Sequence, residues 1–337
     1  MDTLLFAINA IFPILLLVVL GYILKRKSFL DEDWFKKGNK LIFRICLPAM
    51  LFVNVYNIEA LSQINWLVVL YSEFAILILF LLGILLVKFT IKDEQQKGVV
   101  LQCVFRSNFA IIGLPLAESL GGAEGVGIAA VLSAFSIPTF NILAVIALTM
   151  YRKENGEKIK LKDMLKKIVT NPLIIGVMIA LAMLAVRAII PAGADGQPVF
   201  TLKKNIPLLY NTISNLAKIC SPLALVICGG LFNFSAIKSR KKPIAIGVLV
   251  RVIITPLIAI GIAILLSKHT SVLNLETNAY PALLALFGSP VAVSSAIMAQ
   301  EMNNDGELAG QLVVWTSVAS VVTLFVFILA LRSLGLM

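Results

Sequence analysis

The sequence predicts an all-α polytopic membrane protein of ten transmembrane helices, built as two inverted five-helix repeats around a pair of broken, proline-containing helices. Three observations predict it. Long apolar runs alternate with short loops, basic residues fall mostly on one side of that alternation, and two proline motifs recur at nearly one separation.

The apolar runs come first. Of the 337 residues, 59% are hydrophobic and 14% are charged, and the mean hydropathy is +0.96. A soluble domain carries about 25% charged residues. The charges here sit in bursts between apolar runs, as hydrocarbon demands, because an unpaired charge is costly there. A spanning helix needs about 20 apolar residues. The runs place spans at 4–24, 41–57, 64–88, 98–119, 125–150, 171–190, 208–233, 243–267, 279–301 and 308–332, and no soluble domain is left over. The first run, Leu4 to Leu24, is too long for a signal-peptide core and lacks a basic leader, so it reads as the first span.

The loops give the orientation. The net charge of +11 would suggest nucleic acid in a soluble protein. Between membrane spans it reads as the positive-inside rule, with no nucleic-acid partner. The loops after spans 1, 3, 5 and 7 hold 20 lysines and arginines, against five on the other side. The loop after span 9 breaks the pattern with Asp305 and Glu307. The asymmetry places both termini on the external side of a cytoplasmic membrane.

The repeat is visible in the motifs. Arg44-Ile45-Cys46-Leu47-Pro48 in span 2 matches Lys218-Ile219-Cys220-Ser221-Pro222 in span 7, a separation of 174 residues from Pro48 to Pro222. Gly113-Leu114-Pro115 in span 4 matches Gly288-Ser289-Pro290 in span 9, a separation of 175 from Pro115 to Pro290. Five spans per copy force the second copy to enter from the opposite side, a hallmark of secondary transporters. The copies are residues 1–150 and 171–337, joined by a basic linker at 151–170, and 191–207 reads as an irregular outer loop.

The second motif pair falls in mid-span. Proline removes an amide donor and glycine lets the backbone leave the helix. An unwound stretch at membrane depth is tolerable only when buried in protein or lining a wet cavity. The free amides of the half-helix beyond each break would then face an anion at the midplane. A pair of simple kinks is the plainer alternative, and pairing by symmetry favours a site.

Chemistry of other kinds has little support. Cys46, Cys103, Cys220 and Cys228 lie inside apolar runs without metal-ligand spacing, and they read as packing residues with no disulfide. His269 is the only histidine and falls in an expected loop. Paired carboxylates, a histidine cluster and a nucleophile–base pair are not evident. The reading is therefore not an enzyme, with no cofactor and no metal.

With Arg106-Ser107-Asn108-Phe109-Ala110-Ile111-Ile112-Gly113-Leu114-Pro115-Leu116, followed by Gly121-Gly122-Ala123-Glu124-Gly125, the chain resembles the auxin efflux carrier family. The stretch from Ser289-Pro290-Val291-Ala292 through Asp305-Gly306-Glu307 is similar to the family's region of helices 9 and 10. The resemblance covers the whole chain. It implies the crossover fold shared with bile-acid symporters and sodium/proton antiporters, in which helices 4 and 9 cross. Helices 1, 2, 6 and 7 would form a scaffold that makes a homodimer, and helices 3–5 and 8–10 a mobile transport domain working as an elevator. The family includes plant auxin exporters and bacterial permeases associated with malate and malonate. Asn108 matches an asparagine that helps hold a substrate carboxylate, and Ser294 and Ser295 stand where some members have another asparagine.

Motif and resemblance together give a substrate-binding set of Asn108, Gly113, Leu114, Pro115, Gly288, Ser289, Pro290 and Ser294. Three charged residues need separate readings. Glu73 in span 3 and Arg251 in span 8 lie at matched depth, and form either a structural ion pair or an ion-coupling element. Glu118 lies beside the crossover or at the outer mouth. Arg106 either guides an anion inward or snorkels to the cytoplasmic surface, and its position favours snorkelling. The expected function is secondary transport of small organic anions in membrane lipid, by export or exchange. The alternative is a proton- or sodium-coupled carboxylate symporter of the same fold. A channel is disfavoured, because broken helices suit alternating access.

Overall fold

The computed structural model describes residues 2–57, 65–151, 153–154, 157–158, 166, 169–189, 199–232, 236–269 and 275–337. Most of the expected linker and residues 191–198 of the expected outer loop lie outside them. The regular structure of the described residues is helical apart from a hairpin of two two-residue strands, β1 (Lys153–Glu154) and β2 (Glu157–Lys158). The helices are α1 (Asp2–Arg26), α2 (Glu32–Leu41), α3 (Leu47–Tyr56), α4 (Trp66–Thr90), α5 (Glu94–Phe105), α6 (Leu114–Met150), α7 (Pro172–Ile189), α8 (Leu202–Asn205), α9 (Pro207–Leu231), α10 (Ala236–Leu249), α11 (Thr255–His269), α12 (Ala279–Gly288), α13 (Ser294–Glu301) and α14 (Gly306–Ser333). His269 thus ends a helix rather than sitting in a loop.

Among the described residues, six helical stretches are long and apolar enough to cross a membrane: Glu32–Tyr56, Trp66–Thr90, Phe109–Met150, Pro207–Leu231, Ser239–Lys268 and Gly306–Ser333. Pro172–Arg187 and Ala279–Gly288 are shorter apolar helices. The outward face of α4 carries Phe74, Leu81, Leu85 and Phe89, all exposed, which suits a lipid surrounding and not water. The 42-residue stretch Phe109–Met150 is not straight. At Gly122, φ is 59° and ψ is −149°, a conformation only glycine adopts without strain, and the chain turns there.

Polar caps start several helices where apolar runs begin. Asp31, Asn65, Asp93, Thr201 and Asp305 each accept a hydrogen bond from a backbone N–H in the first turn that follows. These contacts satisfy donors that the helix itself leaves open.

Three π-turns, Ile42–Cys46, Phe109–Gly113 and Val250–Ile254, join α2 to α3, lead into α6 and join α10 to α11. Each is followed by one residue and then by Pro48, Pro115 or Pro256. The cause is local. A proline ring collides with the carbonyl four residues back, and a widened turn moves that carbonyl aside. Leu47, Leu114 and Thr255 accordingly donate to Ile42, Phe109 and Val250, five residues back.

This corrects one expectation. Span 4 does not unwind at Gly113-Leu114-Pro115, because the π-turn absorbs the proline and Gly113 stays helical at φ −67° and ψ −47°. The chain leaves the helix earlier, at Arg106-Ser107-Asn108, where two short polar residues favour non-helical backbone. The second break falls where the motif placed it, at residues 289–293 between α12 and α13.

Helices α1 and α9, and likewise α3 and α7, meet at close backbone range. A Cβ on Gly21 would lie 1.9 Å from the Val226 carbonyl oxygen, and one on Gly229 equally close to that of Val18. A Cβ on Gly176 of α7 would lie 2.8 Å from the Pro48 carbonyl oxygen of α3. Small residues permit this approach, which is how helices associate where burial from water gives no driving force.

Candidate functional site

The two breaks meet. Ser107 and Val291 form an isolated antiparallel bridge, and the Asn108 N–H donates to the Pro290 carbonyl at 2.7 Å. The Val291 N–H donates to Thr316 Oγ1 of α14 at 3.2 Å. Extended backbone deep in an apolar bundle is thereby hydrogen-bonded, as it must be.

The crossing has two electrostatic sides. On one, the C-terminal ends of α5 and α12 present carbonyls, the negative ends of their helix dipoles. The fully buried Arg251 closes that side. Its guanidinium donates to Phe287 O at 2.7 Å, Ser289 O at 3.0 Å, Val104 O at 3.2 Å and Leu286 O at 3.5 Å. Thr255 Oγ1 donates to Val104 O at 2.9 Å. One cation thus ties both half-helices together.

On the other side, the N-terminal starts at Phe109, Ala110 and Ile111 and at Val293 and Ser294 border a cavity with about 40 Å³ of space that water can fill. Those amides precede the first bonds within their helices, such as Ile112 N–H to Asn108 O at 3.0 Å. Leu47, Met50, Leu51 and Asn54 of α3 and Cys220, Ser221 and Ala224 of α9 form the facing wall. Ile137, Phe140 and Asn141 of α6 complete it.

Arg106 lies in this cavity. It is 3% exposed, and its Nη2 donates to Asn141 Oδ1 at 2.7 Å and to Ser294 Oγ at 2.8 Å. Its Nη1 meets the Met298 thioether sulfur at 2.6 Å. Asn141 is itself fixed by donating from Nδ2 to Ile137 O at 2.7 Å. All of these partners are neutral, and no carboxylate of the described residues lies within ion-pair distance of Arg106. The cavity lining contains no Asp or Glu. A buried guanidinium beside two positive helix ends is an arrangement that attracts an anion, since the planar fork matches a carboxylate or phosphate. Nearby, Ser107 Oγ and Ser295 Oγ are buried without a hydrogen-bond partner.

The expected site residues divide. Asn108 and Ser294 line the cavity, both buried. Gly113, Leu114, Pro115, Gly288, Ser289 and Pro290 do not line it. Gly113 instead admits close helix contact, since a Cβ there would lie 3.0 Å from Ala285 O and closer still to the Phe109 ring. Ser289 Oγ donates to Ala285 O at 2.6 Å, and Pro290 supplies the carbonyl that receives Asn108. Arg106 does not snorkel, which is a second correction. With Asp93 as the cap, α5 begins earlier than the hydropathy suggested. At about 1.5 Å per residue Arg106 then lies some 20 Å along the chain from that cap, beyond the reach of one side chain.

Glu73 and Arg251 do not pair. The Glu73 carboxylate accepts from Thr139 Oγ1 at 2.5 Å, whereas every hydrogen bond of Arg251 goes to a backbone carbonyl. Equal depth in related helices does not bring two side chains onto facing surfaces. Glu118 is exposed on α6 and borders none of the cavity. Asn141 escaped the sequence reading, because a lone asparagine in an apolar run carries no motif. The four cysteines are buried free thiols.

Comparison with known proteins bears on the whole chain. The model of the family described as membrane transport protein matches residues 6–328. An uncharacterized transporter of Methanothermobacter thermautotrophicus is 23% identical over 328 residues, which cover 94% of this chain and 95% of the relative. An uncharacterized transporter of Methanocaldococcus jannaschii is 28% identical over 174 residues, 50% of this chain and 55% of the relative, so this second match spans about half of that protein. The chain therefore belongs to the membrane transport protein family, the one to which its resemblance to auxin efflux carriers pointed.

Proposed function

We propose that the protein is a secondary transporter of small organic anions, carboxylates above all, and that it works by alternating access across a cytoplasmic membrane. The observation that carries this reading is Arg106, a buried cation with only neutral partners in a cavity ringed by helix N-termini. An intramembrane ionisable residue marks a pathway or a site. This one carries the charge that an anionic cargo would neutralise.

The same reading takes the chain as ten spans in two inverted repeats. Support comes from the backbone contacts of α1 with α9 and of α3 with α7, which exchange when the two repeats are exchanged. Further support comes from one end of the bundle. Arg240 pairs with Asp305 at 2.7 Å and Glu307 at 3.0 Å, and the Asp305 N–H donates to Gln95 O at 3.4 Å. Asn304 Nδ2 donates to Leu148 O at 2.9 Å. The loops after spans 3, 7 and 9 and the end of span 5 thus gather on one side. The acidic loop that breaks the charge pattern finds its counter-ion in the basic loop beside it. That side is cytoplasmic in this reading, with both termini outside.

The cavity lies between α3 and α9 on one wall and the crossing segments on the other. In an elevator these are scaffold and transport domain, with spans 1, 2, 6 and 7 fixed in a homodimer. A proton-coupled variant of the reading rests on Glu73, half-buried in α4 against Thr139.

The test is transport in proteoliposomes. Radiolabelled carboxylates should enter with wild type and not with Arg106→Gln, while both proteins elute alike by size. Equal uptake by the two proteins would remove the anion site from Arg106. Repeating the assay with and without an imposed proton gradient separates the coupled variant. Orientation follows from labelling single cysteines placed at Lys37 and Lys203 from outside, where only the second should react.

A further inference from the structure

The groups around the cavity share one sign of charge. Arg106 is positive, and the half-helix starts at 109–111 and 293–294 add positive dipole ends. Among the described residues, no carboxylate lines the cavity or lies within ion-pair distance of Arg106. Glu73 is held by Thr139, Glu118 faces outward from α6, and the lining has no carboxylate. The wall opposite carries no charge: Leu47, Met50 and Leu51 from α3 and Cys220 and Ala224 from α9 are apolar, and Asn54 and Ser221 are its neutral polar members. For the site to open alternately to the two sides, Arg106 has to pass that wall.

We propose that this passage takes place only with an anion on Arg106, so that the protein is a strict one-for-one anion exchanger whose preferred cargo is a monoanion. The inference rests on the reading of the cavity as an anion site, and adds what that site imposes on the cycle. A lone buried charge moving against an uncharged wall is strongly disfavoured, and pairing it with an anion lowers that cost. Return of the carrier without cargo is therefore the slow step, and a counter-anion from the far side removes it. The match is one charge to one charge. With a monoanion bound the moving site is neutral, and membrane potential does no work on it. A dianion leaves one uncompensated negative charge, which both slows the passage and makes it respond to potential.

The experiment uses the full-length protein in proteoliposomes, with radiolabelled pyruvate and benzoate as monoanions and malonate as dianion. Vesicles are loaded either with the same unlabelled anion, with chloride, or with a zwitterionic buffer alone. Entry of a monoanion should be faster by about tenfold or more into vesicles holding an anion than into those holding buffer alone. That stimulated entry should not change under a potassium diffusion potential set with valinomycin, whereas any malonate flux should. Equal entry into buffer-loaded vesicles would overturn strict exchange and leave anion transport standing. Monoanion exchange that follows the imposed potential would overturn the one-to-one charge match. If none of the anions moves under any loading while the protein remains folded, the anion reading itself falls, and the exchange inference with it.

Discussion

Arg106 and Arg251 are the same residue at nearly the same burial, 3% and 0% exposed, and each sits against the crossing of the two broken segments. Their surroundings make them opposites. Arg251 spends its donors on four backbone carbonyls at the C-terminal ends of α5 and α12. Its charge answers the negative ends of two helix dipoles, and four of its five N–H donors are taken by backbone. Arg106 faces the positive ends, holds two neutral side-chain oxygens and a thioether, and borders open space. Which end of a helix each arginine meets, and what already occupies its fork, is what separates the roles proposed for the two.

The largest effect that would break this comparison is expected at Arg251. Arg251→Gln leaves several buried carbonyls short of a donor, at roughly 1–3 kcal/mol each. The variant should fail to give a monodisperse peak in detergent, or unfold at a much lower temperature. A stable Arg251→Gln protein that has lost only transport would reverse the two roles.

Next comes Arg106. Removing a hydrogen bond to a charged group costs about 1.5–3 kcal/mol, which is roughly tenfold to a hundredfold in affinity. Arg106→Gln should show that loss in substrate binding while its thermal unfolding stays close to wild type. Asn141→Asp sharpens the point from the other direction, since it places a carboxylate where Arg106 now meets an amide oxygen at 2.7 Å. That variant should unfold at a higher temperature and bind anions poorly, because its own acid occupies the fork. Improved anion binding in Asn141→Asp would mean that Arg106 does not face the cargo.

Asn108→Ala should act more weakly, raising the apparent substrate constant several-fold to tenfold without changing elution, since its side chain is one lining donor among several. Normal transport of every tested anion by this variant would leave the crossing as architecture at that position. The smallest effect is expected at Pro115. Because the chain is already helical there and Pro115 lies outside the cavity lining, Pro115→Ala should only relax the π-turn and leave transport near wild type. Loss of transport would restore Pro115 to the site.

The contrast between Glu73 and Arg251 carries the same lesson by absence of contact. Their substitutions should add within about 0.5 kcal/mol in a double-mutant cycle on thermal stability, as expected for residues with separate partners. A larger coupling would mean that Thr139 and the backbone carbonyls are not their true partners.

By itself the sequence determined the class of molecule, because hydrocarbon leaves few choices. Apolar runs between charged bursts, basic loops and paired Gly/Pro motifs are all set by local composition, and the family match along residues 6–328 agrees with the class of membrane transporter. One of the two breaks, at Ser289-Pro290, was also legible, since proline there removes a donor that the helix would need. The other was not. Pro115 is locally a helix breaker, but a π-turn accommodates it, and the chain instead unwinds at Ser107-Asn108, where Val291 and Pro290 offer backbone partners from across the fold. Only tertiary structure could supply those partners. It alone also decided which arginine would be held by backbone carbonyls and which would border the cavity, because that depends on which helix ends converge on each side of the crossing, and no local pattern records it.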